Sequence, residues 1–189
     1  MSKYLEIETK ALISKNDYQN LIKKYKNIKS YCQTNYYIAS NELLKKIETY
    51  GLRIRRKNKK YQLTLKVKEN VGKTEINQQI LQKTYTKLRY FNIFPDGEIA
   101  EYLTKNNICN ISKLRIIGRM KTTRTDIKFL TSLISIDKSR YNHNIDYEIE
   151  CEDDDYFTAC KNLEDFARQN KINIKKSELT KLARFLNSK

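Results

Sequence analysis

Four short stretches of this chain alternate charge with apolar residues at a period of two. Glu6, Glu8 and Lys10 interleave with Leu5, Ile7 and Ala11, and Arg53 and Arg55 with Leu52 and Ile54. Thr64, Lys66 and Lys68 interleave with Leu63, Leu65 and Val67, and Glu148 and Glu150 with Tyr147, Ile149 and Cys151. Successive side chains of a strand point to opposite faces, so each stretch presents its charges on one face. Carboxylates are hard oxygen ligands of the kind Mg2+ or Mn2+ prefers. Arginine offers paired donors that match phosphate oxygens, and lysine a point charge. Together such groups suit phosphoryl chemistry, which needs positioning and charge neutralisation more than covalent participation.

Alternation by itself also fits a sheet with one face packed and one face in water. Segregation by sign is harder to explain that way. Between residues 53 and 73 stand nine Arg or Lys and a single acid, Glu69, whereas between residues 146 and 155 stand seven acids and no base. Some of these read as plain surface: Lys57, Lys59 and Lys60 in a turn, and Asp153, Asp154 and Asp155 at a helix start, where the helix dipole favours anions. If the remaining charged faces turn inward, they cannot stay dry and unpaired. Water, divalent cations and a chain of phosphates would make such an interior stable.

Composition narrows the field. The chain has 189 residues, which suits one domain over residues 1–189. A single histidine, His143, leaves no room for a His-rich zinc site or a pair of imidazole catalysts. The four glycines, Gly51, Gly72, Gly97 and Gly118, are too dispersed for a Gly-rich phosphate loop. Cys32, Cys109, Cys151 and Cys160 show no metal-site spacing and read as free, mostly buried thiols. No run of apolar residues is long enough to span a membrane. The N-terminus lacks the apolar stretch of a signal peptide, so a cytoplasmic location is expected. The formal charge of +16 predicts attraction to polyanions, although an AT-rich genome would also inflate lysine.

The elements that must position these residues follow from changes of period. Residues 3–13 read as one strand, 14–26 as a helix opened by Ser14, 30–39 as a strand and 40–48 as a short helix or loop. Strands over 51–55, 61–69 and 74–81 are joined by turns at 58–60 and 71–73. Helices are expected over 82–90 and 98–106, strands over 112–123, 124–129, 133–138 and 145–152, and closing helices over 155–170 and 176–186. Many strands with helices between them indicate an α+β protein built on a large antiparallel sheet or barrel.

The ordered residues carry a resemblance. Glu6-Ile7-Glu8-Thr9-Lys10 resembles the ExExK signature of the CYTH domain, the triphosphate tunnel metalloenzymes. The rest follows in order: Leu52-Arg53-Ile54-Arg55, Thr64-Leu65-Lys66, Glu75, Arg124, the run from Ile136 to Tyr141, and Asp146-Tyr147-Glu148-Ile149-Glu150. The similarity runs nearly end to end and is greatest to the small, stand-alone CYTH proteins of Gram-positive bacteria.

The resemblance implies a closed eight-stranded antiparallel β-barrel, a tunnel with helices packed outside, that binds a triphosphate with Mg2+ or Mn2+. It implies metal-binding roles for Glu6, Glu8, Asp137, Glu148 and Glu150. Phosphate-binding roles fall to Lys10, Arg53, Arg55, Lys66, Arg124, Arg140 and Lys181. Lys10, Glu75 and Asp137 stand as catalytic candidates. The stretch Ser177-Glu178-Leu179-Thr180-Lys181 matches the family's basic pattern only loosely. The implied reaction is metal-dependent hydrolysis of inorganic tripolyphosphate, thiamine triphosphate or a nucleoside triphosphate. Two alternatives stay open: class IV-type adenylate cyclisation on the same fold, and a non-catalytic polyphosphate or nucleic-acid binding module. The expected partner is a triphosphate-containing small molecule, with a homodimer allowed and neither nucleic acid nor membrane expected.

Overall fold

A computed structural model describes residues 2–177 and 179–188; Glu178 of the quoted C-terminal stretch lies outside the described residues. In chain order the elements are β1 (Ser2–Glu6), β2 (Glu8–Leu12), α1 (Lys15–Lys24), β3 (Tyr31–Ala39), α2 (Asn41–Leu44), β4 (Tyr50–Lys57), β5 (Lys60–Lys68) and β6 (Lys73–Ile80). Then come α3 (Gln82–Phe91), α4 (Glu98–Lys105), a 3-10 turn (Ile111–Lys113), β7 (Arg115–Phe129), β8 (Ser132–Tyr141) and β9 (Asn144–Glu152). The chain closes with α5 (Tyr156–Gln169), β10 (Lys175–Lys176) and α6 (Lys181–Asn187). The α+β class with an antiparallel sheet is as expected.

The chain divides into two compact units. One is Met1–Leu5 with Gln33–Met120, the other Glu6–Cys32 with Lys121–Lys189. In the first, strand neighbours run β1-β6-β5-β4-β3. Asn58 and Lys59 link β4 to β5 with positive φ at both positions, the geometry that joins twisted strands in a two-residue hairpin. Leu52, Ile54, Leu63, Leu65 and Ile76 are buried and cluster with Tyr85 and Leu88 of α3 and Ile99 and Leu103 of α4. Each such side chain contributes about 1.5–3 kcal/mol. That burial fixes the register, and the register places the charged residues on the other face.

In the second unit the neighbours run β7-β8-β9-β2-β10. Ala11, Ile127, Ile134, Ile136, Ile149 and Cys151 form its core with Leu163 and Phe166 of α5 and Leu21 of α1. Side-chain caps start its helices: Ser14, Asp155 and Thr180 accept from the backbone N–H of Asp17, Thr158 and Ala183.

Several expectations need correction. The closed eight-stranded barrel is not what the pairing gives: ten strands pair among the described residues, and β1 and β10 end the order with one neighbour each. The predicted strand over 3–13 is two strands divided at Ile7, and Leu5 is exposed. The predicted strands over 112–123 and 124–129 are one, because no turn residue interrupts the alternation in β7. The helix expected over 176–186 starts only at Lys181, after β10 pairs with β2. All four cysteines are free, but only Cys151 is buried. No helix among the described residues is long and apolar enough to cross a membrane.

Candidate active site

In the second unit the register sets three ionic side chains in one row. Arg124 of β7 stands opposite Asp137 of β8, and Asp137 opposite Glu148 of β9. The adjacent row on the same face is Ser135, Glu150 and Lys10. Arg124 donates from Nε and Nη2 to the two oxygens of Asp137 at 2.7 and 2.6 Å, and also contacts Glu150. From α6, Lys181 Nζ lies 2.6 Å from Asp137 Oδ2 and 2.7 Å from Glu150 Oε1, and contacts Glu148. Asp137, Glu148 and Glu150 offer carboxylate oxygens within 4.8 Å of one another.

Arg184, one turn after Lys181, ties the same acids to α6. Its Nε donates to Asp146 Oδ2 at 2.8 Å and its Nη2 to Glu148, while Tyr141 donates to Asp146 at 2.6 Å. Glu148 and Glu150 titrate apart. Burial pushes Glu148 upward against the pull of Lys181, and the charge of Glu150 adds to the rise. Burial also acts to raise Glu150, but Lys181 and Arg124 carry it well below the usual carboxylate range. Lys181 is held above the ordinary lysine value because Asp137, Glu148 and Glu150 outweigh its desolvation. Three close hard-oxygen donors of this kind suit a divalent cation.

In the first unit a second ionic group centres on Glu75. Lys66 stands directly opposite it, with Nζ 2.7 Å from Oε1. Arg53 Nη2 lies 3.2 Å from the same oxygen, and Oε2 accepts from Tyr4 at 2.8 Å and Asn77 at 3.2 Å. Arg53 Nε is buried with no hydrogen-bond partner, which costs about 1–3 kcal/mol if left so. Arg55 donates from Nε to Asn35 at 3.2 Å.

Burial works to raise the Glu75 carboxyl, but Arg53 and Lys66 hold it far below its ordinary value. A carboxyl depressed on folding stabilises fully above its unfolded value near 4.3, and that stability drains as pH falls through the folded value. Glu75→Gln is therefore expected to cost about 2–4 kcal/mol at pH 7 in urea unfolding, with a flatter loss of stability below pH 5 than the wild type shows.

Of the sequence-predicted residues, Asp137, Glu148, Glu150, Arg124 and Lys181 come together in one unit, and Arg53, Lys66 and Glu75 in the other. Lys10 shares the strand face of Glu150. Glu8 stands opposite Glu152, and neither Glu8 nor Glu6 belongs to the triad of close carboxylate oxygens. Arg140 does not join them. It lies three residues from Asp137 on β8, so it points to the opposite face, and it is exposed; Ser139 occupies the face in its place. Sequence reasoning missed Arg184, Asp146 and Asp126. Asp126 sits two residues from Arg124 on the same face and accepts from Tyr31 at 2.7 Å and Ser135 at 2.8 Å. The period of two exposes Asp126 and Asp146, and the three-residue spacing from Lys181 exposes Arg184.

Comparison with known proteins places the chain in a family. The model of the CYTH domain matches residues 4–186. A Bacillus subtilis (strain 168) protein named as a candidate triphosphatase, YjbK, is 32% identical over 191 residues, covering 100% of this chain and 98% of that one. A crystal structure from Bacillus halodurans, described as a candidate adenylate cyclase, is 30% identical with a TM-score of 0.88, over 98% of this chain and 99% of that one. The Hippeastrum protein HpAC1, described as a candidate adenylyl cyclase with a dominant triphosphatase activity, shares the fold at a TM-score of 0.82 and 21% identity, over 98% and 97% of the two chains. With one family model running through both compact units and a relative 32% identical over the whole chain, the chain belongs to the CYTH domain family.

Proposed function

We propose that this protein is a divalent-metal-dependent phosphohydrolase of triphosphates and that its two compact units work as one CYTH-type domain. The observation that carries this reading is the meeting of Asp137, Glu148 and Glu150 with Arg124 and Lys181 on one face. The three carboxylates would hold Mg2+ or Mn2+, with Glu6 and Glu8 as further ligand candidates from the ExExK stretch. When bound, such an ion neutralises phosphate oxygens and acidifies a water. Arg124 and Lys10 serve phosphate on that face. Arg53, Arg55 and Lys66 serve it in the first unit, where the unsatisfied Nε of Arg53 is a donor awaiting an acceptor. Asp137 and Glu75 remain the candidates for handling a proton. Each is already engaged by cations, so the reading rests on charge placement rather than on one base.

The relative named as a candidate triphosphatase supports hydrolysis, and the neighbour described as a candidate cyclase supports a second reading, attack by an internal ribose hydroxyl on ATP. One assay separates them. Tripolyphosphate, thiamine triphosphate and ATP are each incubated with Mg2+ or Mn2+, and free phosphate, pyrophosphate and cyclic AMP are measured. Phosphate release without cyclic AMP is expected. Cyclic AMP with pyrophosphate would favour the second reading, and no turnover of any substrate would refute both.

The phosphate role of the first unit has its own check. Arg55→Ala is expected to raise KM for tripolyphosphate about tenfold, whereas Lys57→Ala, at the exposed end of β4, should change it by less than about threefold. Equal effects would remove Arg55 from the phosphate-holding set.

A further inference from the structure

All three nitrogens of the Arg184 guanidinium have fixed partners. Nε donates to Asp146 Oδ2 at 2.8 Å, Nη2 donates to Glu148 Oε2, and Nη1 donates to the Leu179 carbonyl at 3.0 Å and to Ser177 Oγ at 3.4 Å. The side chain is only 9% exposed. Behind it, Tyr141 is buried and donates to the same Asp146 oxygen at 2.6 Å. The register of β8 and β9 sets Ser139 opposite Asp146 and Asp137 opposite Glu148, so these side chains and Tyr141 share one face. A line of contacts thus runs Tyr141–Asp146–Arg184–Glu148 from the β8–β9 hairpin to the carboxylate triad, inside one compact unit.

The two oxygens of Glu148 differ. Oε2 accepts from Arg184, whereas Oε1 is buried and accepts no hydrogen bond among the described residues. Oε1 meets the Lys181 ammonium as an ion pair without hydrogen-bond geometry. A carboxylate so divided is fixed by one oxygen and has the other left for a ligand. Metal-binding carboxylates are held this way, by hydrogen bonds from groups outside the ligand set. Docking of α6 does not by itself call for the arginine: Asn142, in the turn of the same hairpin, already donates to Ser188 Oγ at 2.7 Å.

We propose that Arg184 is a positioning residue, aligned by Asp146 and Tyr141, which occupies Glu148 Oε2 and so presents Oε1 to a divalent cation together with Asp137 and Glu150. The inference rests on the metal-binding role given above to these three carboxylates and adds residues that touch no ion themselves. Charge and position predict opposite results for Arg184. A guanidinium beside the triad repels a cation, so if only charge counts its removal tightens binding. If it holds Glu148 in place, its removal frees a long, rotatable side chain and loosens binding.

The test is calorimetric titration with Mn2+ alone, at fixed salt and without substrate, so that turnover plays no part. R184Q is expected to weaken Mn2+ binding at least about tenfold. R184K should weaken it nearly as much, because an ammonium keeps the charge but cannot donate along a fork to Asp146 and Glu148 together. Y141F, which changes no charge, should weaken it about three- to fivefold. The control N142G cuts the side-chain tie from the hairpin turn to α6 at a position where glycine accepts the φ of 48°, and should stay within about twofold of the wild type. Tighter binding in R184Q, wild-type affinity in R184K, or an equal loss in N142G each overturns the inference. Should R184Q melt too low to titrate, Y141F decides, and wild-type affinity there overturns the inference as well. A wild type that binds no Mn2+ removes the metal assignment and this inference together. Variant-sensitive Mn2+ binding with no turnover of any triphosphate sinks the hydrolase reading alone. Hydrolysis with Mn2+ affinity unmoved in the variants sinks this inference alone.

Discussion

Replacing Glu148 and Glu150 together with glutamine is expected to lower metal-dependent phosphate release by at least about a thousandfold, or roughly 4 kcal/mol of transition-state stabilisation. The reason is local and electrostatic. Glu148 is 1% exposed, and the Glu150 side chain 12%, so water cannot replace the charge they supply. Glutamine keeps the volume and one acceptor oxygen but removes two of the three negative charges that face Lys181. Because Lys181, Arg124 and Arg184 would each keep only an aspartate counter-ion, Asp137 or Asp146, the variant's fold is checked by its circular dichroism and its melting. Metal affinity is read separately by calorimetry in the absence of substrate. A folded variant that releases phosphate at the wild-type rate would falsify the assignment of these glutamates to the metal.

Most of the sheet was legible because burial imposes a period of two and charge cannot be placed on the buried face. In β4 and β5, Leu52, Ile54, Leu63 and Leu65 could be assigned to the core from alternation, and the faces of Arg53, Arg55, Thr64 and Lys66 followed. The Ser14 cap of α1 was legible for a similar reason, since its side chain satisfies a backbone donor within three residues. What failed was long-range. The division at Ile7 leaves the alternation of residues 3–13 undisturbed, and only the pairing partners reveal that β2 lies beside β9. Arg140 was attached to its motif by proximity in sequence, although parity with Asp137 already placed it on the other face. The role of α6 came only from the family resemblance, which named Lys181 and not Arg184. Nothing in the spacing of Lys181 and Arg184 says which sheet face they reach, and the two-residue strand β10 that leads into the helix is too short to leave a pattern.

That helix makes the second large effect. Lys181→Met, in chelator, is expected to destabilise the protein by about 3–5 kcal/mol and to lower Tm by roughly 10 °C. The ammonium touches all three carboxylates while only 13% of its side chain is exposed, so its removal leaves buried negative charges facing one another. Methionine keeps an unbranched side chain as far as the ε position and packs without a charge, so the loss is mainly electrostatic. Added Mn2+ should then restore stability more steeply in the variant than in the wild type, because a bound cation stabilises the folded state by mass action and here also replaces a missing charge. Melting curves across a manganese titration, with Ca2+ as a further oxygen-seeking cation, read this without reference to turnover. Equal melting of variant and wild type in chelator would mean that the carboxylates do not depend on Lys181. A low-melting variant that no divalent cation rescues would mean that Asp137, Glu148 and Glu150 are a structural ion network and the metal binds elsewhere.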